Sequence, residues 1–176
     1  MASTTTPIKH PSAAISRAAV APLRSVSTAP AVVEILNNLV QTCADGAYGF
    51  AACADYSNIS RHRTLFRQRA QDCDAAGAQL HAMMLGLGGG PARGRANGSV
   101  AHRGWVAGRG TLSGLRDQSL LAECERGETV TLERYRHALS QDLPNEVRTL
   151  VQRQCSAVER NLDQMHSLRE SEKAAA

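Results

Sequence analysis

The sequence predicts an all-α protein built as an antiparallel four-helix bundle with one long crossover between helices two and three. Three observations carry that expectation. Apolar residues recur every three or four positions in four separate stretches, each about 25 residues long, the spacing of a helix with one buried face. The breaks between those stretches run short, long, short, and no stretch alternates polar and apolar residues as a strand would. Aromatic residues make up only 3% of the chain, so the core has to be aliphatic and alanine-rich.

The first helix follows Pro30, with Val32, Val33, Leu36, Leu39, Cys43, Gly46, Phe50 and Cys53 on one face. It ends near Asp55-Tyr56-Ser57-Asn58, where Ser57 or Asn58 is suited to cap the next helix. The second helix carries Ile59, His62, Phe66, Ala70, Cys73, Gly77, Leu80, Met83 and Leu87 on its stripe. So short a connection makes these two helices antiparallel neighbours.

From Leu85 the periodicity dissolves into a glycine-rich crossover at residues 88–114, in which Ser99 to Ala107 is a candidate short helix. About 28 residues without their own packing pattern exceed any tight turn, so helix three is expected to start from the far end of the bundle. Helix three begins between Leu115 and Ser119 and runs to about Gln141. Asp142-Leu143-Pro144 then supplies an N-cap acid and a first-turn proline. Helix four carries Val147, Leu150, Val151, Cys155, Val158, Leu162, Met165 and Leu168, and frays from Glu170. The organisation predicted is a disordered basic tail over residues 1–30 and a bundle over residues 31–172.

The net charge of +4 is unevenly spread. Lys9, Arg17 and Arg24 lie in the tail with no acid, and no acid occurs between Asp74 and Asp117, where Arg93, Arg95, Arg103, Arg109 and Arg116 fall. From Asp117 onward 11 acids outnumber 8 bases, so the basic character is confined to tail and crossover. Nucleic-acid binding needs cations on an ordered face with aromatic platforms, and the bundle offers neither. Binding of an anion or nucleic acid through the tail and crossover arginines is therefore a subordinate reading. No stretch reaches the roughly 18 apolar residues of a membrane span. Five cysteines without a CxxC pair argue for reduced thiols in the cytoplasm. The proline-broken tail reads as disordered rather than as a transit peptide. Exposed bundle faces make a homodimer plausible.

The residue that resists the helical pattern is Glu128. In helix three, Leu121, Cys124, Leu132, Tyr135 and Leu139 keep the apolar stripe, yet position 128 on that stripe is a glutamate. A buried carboxylate requires a metal, an arginine or access to water. At about 1.5 Å rise per residue, Asp45, Asp72, Glu128 and Glu159 fall at similar heights, one per helix, with Glu125 in reserve. Di-iron bundles combine glutamates with Glu-x-x-His pairs, which place both donors on one helix face. Here Asp72 is followed three residues on by Ala75, and Glu159 by Leu162. A Glu-x-x-His set is thus missing, and four acids alone favour a hard cation over a redox iron pair. Iron or manganese remains the candidate cofactor.

The cysteines Cys43, Cys73, Cys124 and Cys155 also fall one per helix, but Cys124 and Cys155 are about 7 Å out of register. They read as core residues rather than a tetrathiolate. His81 reads as a solvated side chain. His102-Arg103-Gly104-Trp105 holds the single tryptophan and reads as the anchor of the crossover.

Leu36-Asn37-Asn38-Leu39, Asp45-Gly46, Gly49-Phe50, His102-Arg103-Gly104-Trp105, Glu123-Cys124-Glu125-Arg126-Gly127-Glu128, Leu143-Pro144 and Leu168-Arg169 together resemble a bacterial family of ferritin-like four-helix-bundle proteins of unknown function, distantly similar to rubrerythrins. The resemblance spans about residues 32 to 171. It implies a ferritin-like fold in a bacterial cytoplasmic protein and no settled activity. The missing histidines argue against oxidase, peroxidase or iron-storage chemistry. The functional expectation is a non-catalytic or weakly metal-binding bundle, stress-related or acting through association, with a di-metal oxidoreductase or iron-handling protein as the competing expectation.

Overall fold

A computed structural model describes residues 29–90 and 116–174. Four helices account for nearly all of them: α1 (Ala29–Tyr56), α2 (Ser60–Gly86), α3 (Asp117–Ser140) and α4 (Asn145–Ala174). The predicted all-α four-helix bundle is the fold. The tail up to residue 28, the candidate short helix at 99–107 and the His102–Trp105 anchor lie outside the described residues.

Helix α1 packs most extensively on α2, and α3 on α4; α1 and α3 join the two pairs, while α2 and α4 touch only slightly. The order of directions follows from what meets at the ends. Asp117, the first residue of α3, hydrogen-bonds Ser57 in the α1–α2 turn and accepts from the Asn58 amide at 3.3 Å. Glu172, near the end of α4, lies 2.8 Å from the Nε2 of His62 in the first turn of α2 and also pairs with Arg61. The far end of α2 sits about 40 Å away along a helix of its length. The end of α2 and the start of α3 therefore lie at opposite ends of the bundle, as expected from the length of the stretch between them. Helices α2 and α3 run in the same direction, and each well-packed neighbour pair is antiparallel.

Two apolar clusters plug the ends. One gathers Val32, Leu36, Leu39, Leu80, Met84, Leu143, Val147 and Leu150. The other gathers Phe50, Phe66, Leu120, Leu121 and Met165. Each fully buried large side chain contributes about 1.5–3 kcal/mol, so these two plugs hold the bundle together. Between them each helix carries one or more small residues on its inward face, Gly46 and Gly49, Ala76, Gly127 and Ala157. On α1 and α2 this permits close approach: a Cβ on Gly46 would stand 3.2 Å from the Cys73 sulfur, and one on Gly77 would stand 3.2 Å from the Cys43 Cβ.

The ends of the helices correct several expectations. Helix α1 begins at Ala29, with Pro30 inside its first turn, where a missing amide costs nothing. The residue at the N-cap of α2 is Ile59, which makes no side-chain cap bond; the Ser57 hydroxyl is engaged by Asp117 instead. Met84 rather than Met83 is the buried methionine of α2. That helix closes at Gly88, whose φ of +76° a side chain would strain, while the Gly89 amide donates to the Met84 carbonyl at 3.0 Å. Helix α4 does not fray at Glu170 but continues to Ala174, because Glu172 is tied to His62 and Arg61.

His62 is fully buried between two carboxylates, with its Nδ1 3.3 Å from Asp117. Burial disfavours charge on Asp117, but hydrogen bonds from Ser57, from His62 and from the amides of Asn58 and Ile59 outweigh it and hold its carboxyl below the ordinary range. This junction joins α2, α3 and the end of α4.

Because even a Cβ on Gly77 would crowd Cys43 of α1, the far larger Gly77→Leu is expected to push α1 off α2 and cost about 2–3 kcal/mol, read as a lower urea midpoint at unchanged slope. An unshifted midpoint would show that the two helices do not meet there.

A mid-bundle cavity as the candidate functional site

Between the two apolar plugs lies a cavity of about 520 Å³. Its origin is the size of the residues on the four inward stripes. Gly46 and Gly49 of α1, Ala76 of α2, Gly127 of α3 and Ala157 of α4 line it, where the plugs above and below have leucine, phenylalanine or methionine. Sealing such a volume dry would cost on the order of 10 kcal/mol at about 24 cal/mol per Å³, as much as a whole domain's stability. Space on that scale has to be shared with water or with a ligand.

One wall is a chain of buried hydrogen bonds that touches all four helices. The Tyr135 hydroxyl of α3 donates to Gln154 Oε1 of α4 at 2.9 Å, and the Cys43 thiol of α1 lies 3.3 Å from the same hydroxyl. Gln154 in turn donates to the Ala76 carbonyl and to Gln79 Oε1 of α2, both at 3.2 Å. Burial raises the Cys43 thiol and the Tyr135 phenol, so both keep their protons. A network with every member paired costs little and specifies how the helices register.

Three of the four carboxylates singled out from the sequence reach this cavity. Asp45 and Glu128 are buried in its wall, and Asp72 stands at its edge, about half exposed. Asp45 accepts from Gln41 at 3.1 Å and lies 3.9 Å from Arg134; Asp72 is held by Arg69 at 3.0 Å. Glu159 is turned away from the cavity and pairs with Arg136 at 2.9 Å. Glu125 is turned toward α4, where His166 and Arg169 each stand 3.0 Å from it. Among the described residues no three His, Cys, Asp or Glu side chains come close enough together to hold one metal ion. The structure thus brings Asp45, Asp72 and Glu128 to one space without bringing them to one point.

Glu128 differs from the others in its company. Its hydrogen-bond partner is the neutral Asn161 of α4, and among the described residues it forms no ion pair. Burial pushes its carboxyl up to about 7; the charge of Arg69 and the bond from Asn161 pull the other way, and Asp72 adds to the rise. The carboxylate is therefore poised to exist in both forms near neutral pH.

The cysteines divide as their register predicts. Cys43, Cys73 and Cys124 line the cavity, while Cys155 belongs to the plug near Leu150. Cys124 also hydrogen-bonds Cys53, a partner that a one-per-helix reading overlooks. All five thiols are free, and burial raises Cys43, Cys73, Cys124 and Cys155, which makes them poor nucleophiles. His81 is exposed. Sequence reasoning missed Tyr135 and Gln154 as wall residues. The signal available was an amide on an apolar stripe at 154, beside a phenol on the stripe at 135.

The molecule is, then, an all-α four-helix bundle with a largely apolar cavity at mid-height, into which a few polar and acidic side chains project. The model of a family described as "Domain of unknown function (DUF2383)" matches residues 31–141, well over half of the chain, and the chain belongs to that family. No curated protein matches it. No helix among the described residues is long and apolar enough to cross a membrane.

Glu128 binds its proton more tightly in the folded chain than in the unfolded one. Between its ordinary 4.5 and its folded value of about 7, stability therefore falls as pH rises. The difference corresponds to about 3 kcal/mol at most. Glu128→Gln, which keeps the shape and removes the charge, is expected to stabilise the protein by about 2–3 kcal/mol near pH 8 and far less near pH 5. Urea unfolding at both pH values reads the difference; an equal effect at the two would show that Glu128 is not the titrating group.

Proposed function

We propose that this protein is a ferritin-like bundle that acts by holding a small molecule in its mid-bundle cavity, without catalytic metal chemistry. The observation that carries the proposal is the cavity itself: about 520 Å³, placed between two well-packed plugs and opened by small residues, Gly46, Gly49, Ala76, Gly127 and Ala157, on the four helices. Ligand pockets have this size and this position between the helices of a bundle. The ferritin-like part of the reading is supported by the helix directions, with one long return between α2 and α3 and antiparallel neighbours throughout. Against a di-iron centre stands the donor set, since Asp72 and Glu159 lack a histidine three residues on and Glu159 points away.

A second reading has one observation in its favour. Asp45, Asp72 and Glu128 share the cavity wall, and a hydrated cation can be held by carboxylates through its water shell. Iron or manganese is the cation class that the sequence suggests.

The two readings give opposite results in a paired experiment. The small-molecule reading expects the neutral dye Nile red to bind about one per chain with a blue-shifted emission. It expects Ala157→Phe, which fills the cavity, to abolish binding while leaving the helical circular dichroism intact. The metal reading expects stoichiometric iron or manganese in protein purified without chelator, lost in Glu128→Ala. Dye binding that survives Ala157→Phe would overturn the first; metal-free protein would overturn the second.

A further inference from the structure

We propose that the ligand of the mid-bundle cavity is an amphipathic organic cation, with an ammonium or amidinium head on Glu128 and an apolar body against Phe50, Cys124 and Val158. This rests on the small-molecule reading above and adds the chemical class.

The first argument is the charge in the wall. Asp45, Asp72, Glu123 and Glu128 line the cavity against two arginines, Arg126 and Arg134. Both arginines are already engaged. Arg126 is bound to Glu123 at 2.9 Å, and Arg134 donates to Thr42 at 3.1 Å beside Asp45. An incoming anion would find no guanidinium to spare and would meet Glu128 and Asp72. An incoming cation finds an excess of carboxylate.

The second argument is where that excess is accessible. Asp72 has Arg69 and Glu123 has Arg126, each as a direct ion pair. Asp45 has Gln41 and, at 3.9 Å, Arg134, whereas Glu128 faces the cavity with a neutral hydrogen-bond partner and no ion pair among the described residues; it is 3% exposed, on the stripe of a helix that is otherwise apolar there. Leaving a carboxylate in such a place carries a desolvation cost that a seated cation offsets. Its surroundings on the other helices do not supply one at contact distance. Helix α1 presents Cys43 and Asp45, α2 presents Cys73 and Asp72 with Arg69 acting only through its charge, and α4 presents Asn161.

The third argument concerns the rest of the ligand. A bare inorganic cation is too small for about 520 Å³, and no three ligating side chains converge among the described residues. Beside the hydroxyls and amides of the wall, most of its surface is apolar or soft: the Phe50 ring, the protonated Cys73 and Cys124 thiols, Ala157 and Val158. Such a surface takes an aromatic or aliphatic body, and neutral sulfur packs well against aromatic rings.

The experiment uses the full chain and three probes with one ring system: 1-naphthylmethylamine, protonated at neutral pH, its neutral counterpart 1-naphthylmethanol, and the anion 1-naphthoate. Each displaces bound Nile red or is titrated calorimetrically, against wild type, Glu128→Gln and the edge variant Asp72→Asn. The amine is expected to bind at least about tenfold tighter than the alcohol in wild type, with the naphthoate weakest. In Glu128→Gln that preference is expected to disappear while alcohol binding is kept, and Asp72→Asn is expected to retain most of it. Retained alcohol binding is itself the check that the Gln variant is folded. If the alcohol or naphthoate binds as tightly as the amine, or the amine preference survives in Glu128→Gln, the cation assignment is overturned and the cavity reading stands. If none of the probes binds the wild type and Nile red does not either, both fall together.

Discussion

The close approach of α1 and α2 is the constraint on which the rest of the structure depends. Gly46 opposite Cys73, and Gly77 opposite Cys43, bring the helices so close that even a Cβ would crowd its neighbour at either crossing. Tight packing of backbones at mid-height fixes this pair as the most extensive contact in the molecule. It also forces the inward residues of this layer to be small. Helices α3 and α4 carry small residues at the same height, Gly127 and Ala157, but they do not close in to the same degree, and the volume between the two pairs stays open. A bundle with leucines throughout would have been more stable and would have had no interior to use.

What keeps this open layer from collapsing is polar. The Cys43–Tyr135–Gln154 chain reaches the α2 backbone at Ala76, so one continuous run of hydrogen bonds sets the register of all four helices. At the end of the bundle His62 performs a comparable task in a different manner, holding the start of α3 and the end of α4 through Asp117 and Glu172. These two features divide the labour: the apolar plugs supply most of the stability, and the polar links decide which helix meets which and at what height.

Glu128 shows how the same residue type is given different properties by its place. Glu125, one turn earlier, meets His166 and Arg169 and behaves as a bridge between helices. Glu159 meets Arg136 at a half-exposed surface, where an ion pair contributes little. Glu128 meets an asparagine in an apolar wall, and its carboxyl is driven up toward neutrality. The three-residue step from Glu125 to Glu128 moves the side chain nearly one turn along α3 and only about 60° round it, enough to take it from the outer edge of the α4 contact, beside His166 and Arg169, to the cavity side, beside Asn161.

The amino-acid sequence by itself determined the four helices, their approximate limits, the long return between the second and third, and the anomaly at position 128. Those features are written in periodicity, in the positions of Gly88 and Pro144, and in the chain length of the crossover, all of them local. The small-residue layer was legible in principle too, since Gly46, Gly49 and Ala76 stand where larger apolar residues flank them on the same stripes. Only the tertiary structure decided that Glu159 turns outward while Asp45 and Asp72 reach the same space as Glu128. It alone placed the free thiol of Cys53 beside that of Cys124 and extended α4 by tying Glu172 to His62. Helical spacing gives a residue's height and its face to within about a third of a turn, but the rotation and separation of packed helices decide which of two flanking faces becomes interior. For carboxylates beside a stripe, that final rotation is the difference between a cavity wall and a surface ion pair.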